Sequence, residues 1–403
     1  MPPKASPPIA SLEIGTHKIR VLVGEYRVGG QLVVTGLGQS KSCGVRKSEI
    51  TDFDSALTAV KDAVRQAEEM ARVGINQVHL ASSGGHIKSM INTATTNIQG
   101  PGQVVTIEDV VDVENNARAV VLPENRELLH SIPQHYYLDK RPVANPEGMT
   151  AAVLKLDMLI LHGVSSRVRD VARVAREAHV NVEDSIFAGL AAAMAVLTAE
   201  QKESGALVID LGAGTTNYVV YARKAIAHAA VLAVGGDHVN NDLVIGLKVP
   251  SAQAERIKIQ HGAALVDLSR RGQTVSVQAE SGFEAKQVRV NDIQTIISMR
   301  VEEIFEVIRR DLEKQGLRNH LGAGVILTGG GAHMPDVVRL AERVFSLPAA
   351  IGLPRGFAGL SSITEDPDFA TGIGLLKCAQ RGVEKYIQPG PLSTFLRKLF
   401  RRS

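Results

Sequence analysis

The chain has 403 residues, 44% of them hydrophobic and 22% charged, long enough for two or three domains with a full core and too ordinary in composition for a disordered or fibrous protein. Its two cysteines, Cys43 and Cys378, exclude a disulfide scaffold and a zinc cluster, and they fit a reducing cytoplasm. Net charge is +3, but Arg397, Lys398, Arg401 and Arg402 fall in the last seven residues; taking these four from 45 leaves 41 basic against 42 acidic side chains, and a neutral body with no Trp and 4% aromatics argues against nucleic acid as a partner.

Met1 to Pro8 is Pro-rich and polar, so no signal peptide is expected, and no apolar run reaches the roughly eighteen residues of a spanning helix. Ile9 to Glu25 reads as strand, turn, strand: Glu13 ends the first strand, and Gly15 and Thr16 sit in the turn. A strand follows over Gln31–Gly38. Then comes a helix starting at Thr51 or Asp52, with Leu57, Val60, Val64, Ala67 and Met70 at helical spacing and Gly74 as its cap, and after it a strand at Val78–Ala81. Ser82 to Gly163 has a composition of its own, with Thr- and Asn-rich strand material, a helix from about Thr106 to Val120, and strands around 128–138 and 151–161. His130 and His135 lack the companion spacing of metal ligands, and the segment reads as a protein-contact surface. Ser165–His179 is an amphipathic helix, and Val180–Ser185 leads into an Ala-rich, buried helix from Ile186.

Val208 to Tyr221 repeats the first unit: an apolar strand ending in Asp210, a turn of Gly212, Ala213, Gly214 and Thr215, and a second apolar strand. Such a turn brings backbone N–H groups close to an anion, with positive φ open to its small residues, and Asp210 is placed to hold a phosphate-bound Mg²⁺ through water. Two acid-x-Gly units about two hundred residues apart indicate two similar halves. A third glycine run, Thr328-Gly329-Gly330-Gly331-Ala332, leads through Met334-Pro335 into a helix and suits a flat base or a ribose. Asp292–Lys314 is the strongest helix, with Gly316 as cap and Arg300, Glu302, Glu303, Glu306, Arg309 and Arg310 on its outer face. Phe369 to Tyr386 reads as a returning helix, ended by the stiff linker Gln388-Pro389-Gly390-Pro391. In the tail, Leu392, Phe395, Leu396, Leu399 and Phe400 form an apolar stripe opposite Arg397, Lys398, Arg401 and Arg402, the pattern of a helix lying in an anionic membrane surface.

The phosphate-type hairpins and the adenosine-type glycine turn resemble the actin superfamily of ATP-binding proteins. Leu12-Glu13-Ile14-Gly15-Thr16, His130-Ser131-Ile132-Pro133-Gln134, Phe187-Ala188-Gly189-Leu190-Ala191, Ala254-Glu255-x-x-Lys258-x-x-x-Gly262 and Leu327-Thr328-Gly329-Gly330, in that order, are similar to the FtsA family of bacterial cell-division proteins. The resemblance implies an α/β actin-like two-domain ATPase-clamp fold with an FtsA-type inserted subdomain and a C-terminal amphipathic helix. It divides the chain into a first-domain core (1–81 and 164–199), the insertion (82–163), a second-domain core (200–240 and 321–388, the latter including the returning helix), an outer subdomain (241–320) and a linker with a membrane-targeting helix (389–403).

It further implies ATP held by Gly15, Thr16, His17, Lys18, Gly212, Ala213, Gly214, Thr215, Thr216 and Asn217, by Gly235, Gly236 and Asp237 where a helix starts near the phosphates, by Glu255 and Lys258 against ribose and adenine, and by Gly329, Gly330, Gly331, Ala332 and Met334. Glu13 and Asp210 would hold Mg²⁺. Hydrolytic relatives place an acid or amide where this chain has Phe187-Ala188-Gly189, and an Asp where it has Asn217, so the resemblance implies an adaptor with at most slow ATPase activity and not an enzyme. Its expected partners are the C-terminal peptide of the tubulin-like FtsZ on the second-domain tip, copies of itself in filaments, other division proteins on the insertion, and the cytoplasmic face of the cell membrane at the division site. A pilus-assembly or chaperone-like relative would share the ATP loops, and a small-molecule kinase would need a catalytic Asp and a sugar pocket.

Overall fold

The computed structural model of the chain describes residues 7–27, 29–277 and 286–381. Strands β1 (Ile9–Ile14), β2 (Lys18–Tyr26) and β3 (Leu32–Lys41) form an antiparallel meander. A two-strand hairpin, β4 (Val45–Arg46) and β5 (Glu49–Ile50), then leads into helix α1 (Phe53–Ala71) and strand β6 (Gln77–Ser82), which pairs parallel to β1. Asp52 caps α1 by accepting from the Ser55 N–H, but the helix ends at Arg72 in the left-handed conformation, two residues before the expected Gly74.

Its inward face also differs from expectation. Ala56, Ala59, Ala63 and Ala67 join Val60 and Val64 in the core, while Leu57 is only half-buried and Met70 is 51% exposed. The cause is close approach: a Cβ on Gly38 would lie 1.8 Å from the Ala63 carbonyl oxygen, and one on Gly36 2.7 Å from Ala71 Cβ. Small residues are therefore required on both surfaces, and the long side chains move to the flanks.

The inserted segment folds as its own four-stranded sheet, in the order β7 (Lys88–Asn97), β10 (Val153–Val164), β8 (Arg126–Leu138), β9 (Arg141–Val143), covered by helix α2 (Ile107–Arg118). Thr106 and Asp109 form a reciprocal capping box on α2. Helix α3 (Ser165–Glu177) returns the chain to the first sheet through β11 (Asn181–Phe187). Ile186 and Phe187 pair with Ala81 and Ser82 of β6, so the Ala-rich helix α4 (Ala188–Val196) begins two residues later than expected. Every residue of α4 is buried.

The second half repeats the first. After α5 (Ala199–Ser204), strands β12 (Ala206–Leu211), β13 (Thr216–Ala222) and β14 (Ala225–Leu232) form a second meander. Helices α6 (Gly236–Leu247) and α7 (Ser251–His261), the ribbon β15 (Thr274–Val277) and β16 (Lys286–Arg289), and helix α8 (Val290–Lys314) form the outer part. Helix α8 ends in a Schellman turn: Gly316 at φ +68° donates to Glu313 and Leu317 to Leu312. Strand β17 (Val325–Thr328) pairs parallel to β12, and after α9 (Val337–Phe345) strand β18 (Ala349–Ile351) completes the sheet.

The sheets read β14-β13-β12-β17-β18 and β11-β6-β1-β2-β3, the same meander beside two parallel strands in each, the latter extended beyond β3 by one further strand. Strand β19 (Phe357–Gly359) pairs with β3, and after α10 (Ser361–Thr364) helix α11 (Ala370–Arg381) packs on α4 and on β1 and β2. The return to the first sheet thus begins near residue 357, ahead of the returning helix, and the span assigned as 321–388 is shared between both halves. No helix among the described residues is long and apolar enough to cross a membrane. The end of the returning helix and the amphipathic stripe Leu392–Arg402 lie outside the described residues.

Candidate functional site

A cavity of about 570 Å³ opens between the two halves. Its floor is two matching turns. The Gly15 N–H donates to the Lys18 carbonyl at 3.1 Å, and the Gly212 N–H to the Thr215 carbonyl at 3.0 Å. A Cβ on either glycine would meet that same carbonyl oxygen, at 2.8 and 2.7 Å. Gly212, Ala213 and Gly214 do not take the positive φ expected of them, and neither does Gly15. Glycine is needed there for close backbone approach. Gly214 faces the first turn directly, since its Cβ would lie 2.3 Å from Thr16 Oγ1.

Helix α6 docks on the second turn. Its Gly236 N–H donates to the Gly212 carbonyl at 3.0 Å and its Asp237 N–H to Ala213 at 2.8 Å. These N–H groups hold the turn in place. On α7, Lys258 Nζ lies 2.8 Å from Glu255 Oε2, and Asn240 also donates to that oxygen. Burial opposes the Glu255 charge, yet Lys258 and Asn240 outweigh it and hold its pKa below the ordinary value. The glycine run closes the wall. Gly329 has φ +79°, and a Cβ there would fall 2.3 Å from Asp210 Oδ1, so only glycine fits between β17 and β12.

Most of the residues expected to hold nucleotide line this cavity. Three do not. Thr216 is fully buried and donates to the Val234 carbonyl, a Cβ on Gly235 would run into the Gly212 carbonyl at 2.4 Å, and Ala332 packs in the core of the second half. His130 lies elsewhere, accepting from the Phe187 N–H at 2.9 Å, and burial lowers its pKa to about 4.

The carboxylates at the strand ends are electrostatically loaded. Burial pushes Glu13 up to about 7, against the pull of Arg20, and the neighbouring Asp210 and Asp368 charges raise it further. Burial likewise pushes Asp210 up to about 6, although Asn217 donates to it at 3.0 Å. Glu13 Oε2 is buried without a hydrogen-bond partner, and its nearest cation, Arg20, stands 3.9 Å away. Two desolvated carboxylates, one with an orphaned oxygen, form a hard oxygen donor set, and a divalent cation such as Mg²⁺ fits it.

Sequence reasoning missed Arg20, Asp368, Ser48 and Ser83, cavity residues that come from far apart in the chain. Arg20 pairs with Asp368, as does the expected Lys18 at 3.0 Å, and the Arg20 guanidinium lies 4.6 Å from the Phe369 ring centroid. Ser83 donates to Asn217 Oδ1 at 2.7 Å, and Ser48 Oγ lies 3.2 Å from Thr215 Oγ1. An arginine in the apolar strand Ile19–Val23, and the run Ser82-Ser83-Gly84-Gly85 directly after a strand, were the available signals.

Comparisons with known proteins identify the family and the fold. A family model described as "Cell division protein FtsA" matches residues 207–374, and one described as "SHS2 domain inserted in FTSA" matches residues 84–162. The chain is 31% identical over 369 residues to the cell division protein FtsA of Pseudomonas aeruginosa, covering 91% of this chain and 88% of that protein. With the namesake from Neisseria meningitidis it shares 35% identity over 373 residues, 92% and 90% of the two chains. Among solved structures it resembles a PilM-PilN type IV pilus biogenesis complex (TM-score 0.64, 18% identity, 93% of this chain and 98% of that one). It also resembles MreB 5 of Spiroplasma citri bound to AMPPNP (TM-score 0.55, 15% identity, 96% and 99%). At these identities the structures share the fold alone, and that fold is the actin-like clamp.

Proposed function

Because the chain belongs to the FtsA family of cell-division proteins, we propose that it is an ATP-binding adaptor that tethers FtsZ filaments to the inner face of the cytoplasmic membrane at the division site. The observation that carries the nucleotide part is the duplicated floor: two turns with the same glycine-to-carbonyl closure, each at the end of a strand whose carboxylate has a raised pKa. Gly15 to Lys18 and Gly212 to Thr215 would hold the phosphates, Glu255, Lys258 and Met334 the nucleoside, and Glu13 and Asp210 the Mg²⁺. That cation, when bound, supplies charge neutralisation to the phosphates.

Turnover is slow in this reading, because Ala188 lines the cavity where hydrolytic relatives place an acid or amide. The fold shared with AMPPNP-bound MreB 5 supports nucleotide binding. Self-association into filaments and contact of other division proteins with the inserted sheet rest on family membership.

For FtsZ, the outer face of α8 is the proposed platform. Its charges are largely paired, within the helix or with its neighbours: Arg300 to Glu303 and to Asp242 of α6, Arg309 to Glu306 and Glu313, and Glu302 to Arg343 of α9. Exposed Ile245 of α6 and Met299 of α8, on helices that pack together, leave apolar surface beside them for a short peptide.

The membrane part rests on the tail sequence. Four bases near an anionic surface supply on the order of 4 kcal/mol, and five apolar side chains add several more before the cost of ordering about ten residues is subtracted. Such an anchor is reversible for one molecule and strong for an array. Phe395→Glu should release the protein from anionic vesicles without changing ATP binding. In a flotation assay, FtsZ filaments are expected to rise with anionic vesicles when the full chain is present and to stay below when the chain ends at Gly390. Equal flotation with both chains would overturn the tether reading.

A further inference from the structure

On its first-half side the cavity continues past the two turns into a hydroxyl-rich end that no motif marked. The Ser48 N–H donates to Thr16 Oγ1 at 3.0 Å, and the Ser48 and Ser83 hydroxyls both reach Thr215 Oγ1, at 3.2 and 3.3 Å. The backbone that presents Ser48 is strained. Lys47 and Ser48 form the two-residue turn of the β4–β5 hairpin with φ of +51° and +60°, a conformation that favours Asn or Gly. The turn after β6 is squeezed as well, because a Cβ on Gly85 would meet Ala233 Cβ at 2.9 Å.

Among the described residues, four Lys or Arg side chains line the cavity. Lys18 and Arg20 are shared with Asp368, and Lys258 is held by Glu255. Arg167 is the base at the hydroxyl end. It sits in the first turn of α3, immediately after the last strand of the inserted sheet, and its guanidinium is paired with Glu49, the neighbour of Ser48. That side chain is 47% exposed, so it is free to swing between partners at little packing cost. Beside it, His86 accepts from the Val164 N–H on Nδ1 and stays neutral, because burial and then the Arg167 and Arg126 charges hold it near 4. An anion at this end would meet hydroxyls, a neutral imidazole and one arginine whose present partner is a carboxylate.

Resting on the nucleotide reading above, we propose that Arg167 senses the terminal phosphate: a triphosphate competes with Glu49 for its guanidinium, so the exchange favours ATP over ADP and links the cavity to the inserted sheet through α3. A phosphate offers the same fork geometry as a carboxylate with more charge, which is what an exchange of partners requires.

The test uses the full chain with Mg²⁺ and equilibrium titrations of fluorescent ATP and ADP analogues. Arg167→Met is expected to lower the preference for the triphosphate about tenfold, with diphosphate affinity within about twofold of wild type. Glu49→Gln removes the competitor and is expected to raise that preference. A salt bridge that only braces the hairpin would make the two variants behave alike, so shifts in the same direction, or none in either, overturn the assignment. Should Arg167→Met fold poorly, Glu49→Gln decides alone: an unchanged or lowered preference overturns the competition. A wild-type chain that binds neither analogue would instead sink the nucleotide reading itself.

Discussion

Replacing Glu13 with glutamine is expected to stabilise the metal-free protein above pH 7 while abolishing the Mg²⁺-dependent tightening of ATP. In the folded chain Glu13 titrates near 7 instead of at its ordinary 4.5, chiefly because it is buried. The folded state therefore holds this proton more tightly than the unfolded state does. Below pH 4.5 both states are protonated and the group contributes nothing. As pH rises from 4.5 to 7 the unfolded chain releases its proton first, stability falls, and above 7 the full cost of the buried charge is present. Glutamine keeps the shape without the charge, so the variant should gain on the order of 3 kcal/mol over wild type at pH 8 and almost nothing at pH 4.5. Urea unfolding in EDTA at the two pH values measures this directly. A variant no more stable at pH 8, or one whose ATP affinity still responds to Mg²⁺, contradicts the assignment of Glu13 as a cation ligand.

Gly374→Ala tests the packing that joins the two halves. An alanine in a helix normally stabilises it by about 1 kcal/mol over glycine. Here the added Cβ would lie 1.8 Å from the Ala191 carbonyl oxygen, where α11 crosses the fully buried α4. Neither atom is at the end of a flexible side chain, so the helices must separate, and a loss on the order of 3 kcal/mol is expected. Gly74→Ala is the control, since a methyl added to that glycine would have nothing within 4 Å and its φ is not positive. Equal urea midpoints for the two variants would show that the crossing is looser than the geometry requires.

The parts of this molecule that were legible in the sequence are those set by neighbouring residues. Apolar runs broken by Gly-Thr or Gly-Ala-Gly-Thr placed both floor hairpins, and 3.6-residue periodicity placed α8 with its glycine stop. What escaped depends on contacts across the fold. Arg20 and Asp368 are 348 residues apart, and nothing local in either stretch announces the other. The inward face of α1 was misjudged because the size of its side chains is dictated by Gly36 and Gly38 on a different element. Positive φ was expected at the Gly212–Thr215 turn and found instead at Gly329, where an aspartate from the neighbouring strand fills the space of a Cβ. The hydroxyl end of the cavity was hidden for a similar reason: Ser48, Ser83 and Arg167 come from a hairpin turn, the loop after β6 and the start of α3, and no local motif links them.

Whether the cleft between the two halves binds ATP through Mg²⁺ is decided by calorimetric titration of the full chain with ATP at pH 7.5, first with Mg²⁺ and then with EDTA. A single site per chain is expected, with an affinity that falls sharply when the cation is removed. No binding in Mg²⁺, or the same affinity in EDTA, would refute a cation-dependent nucleotide clamp.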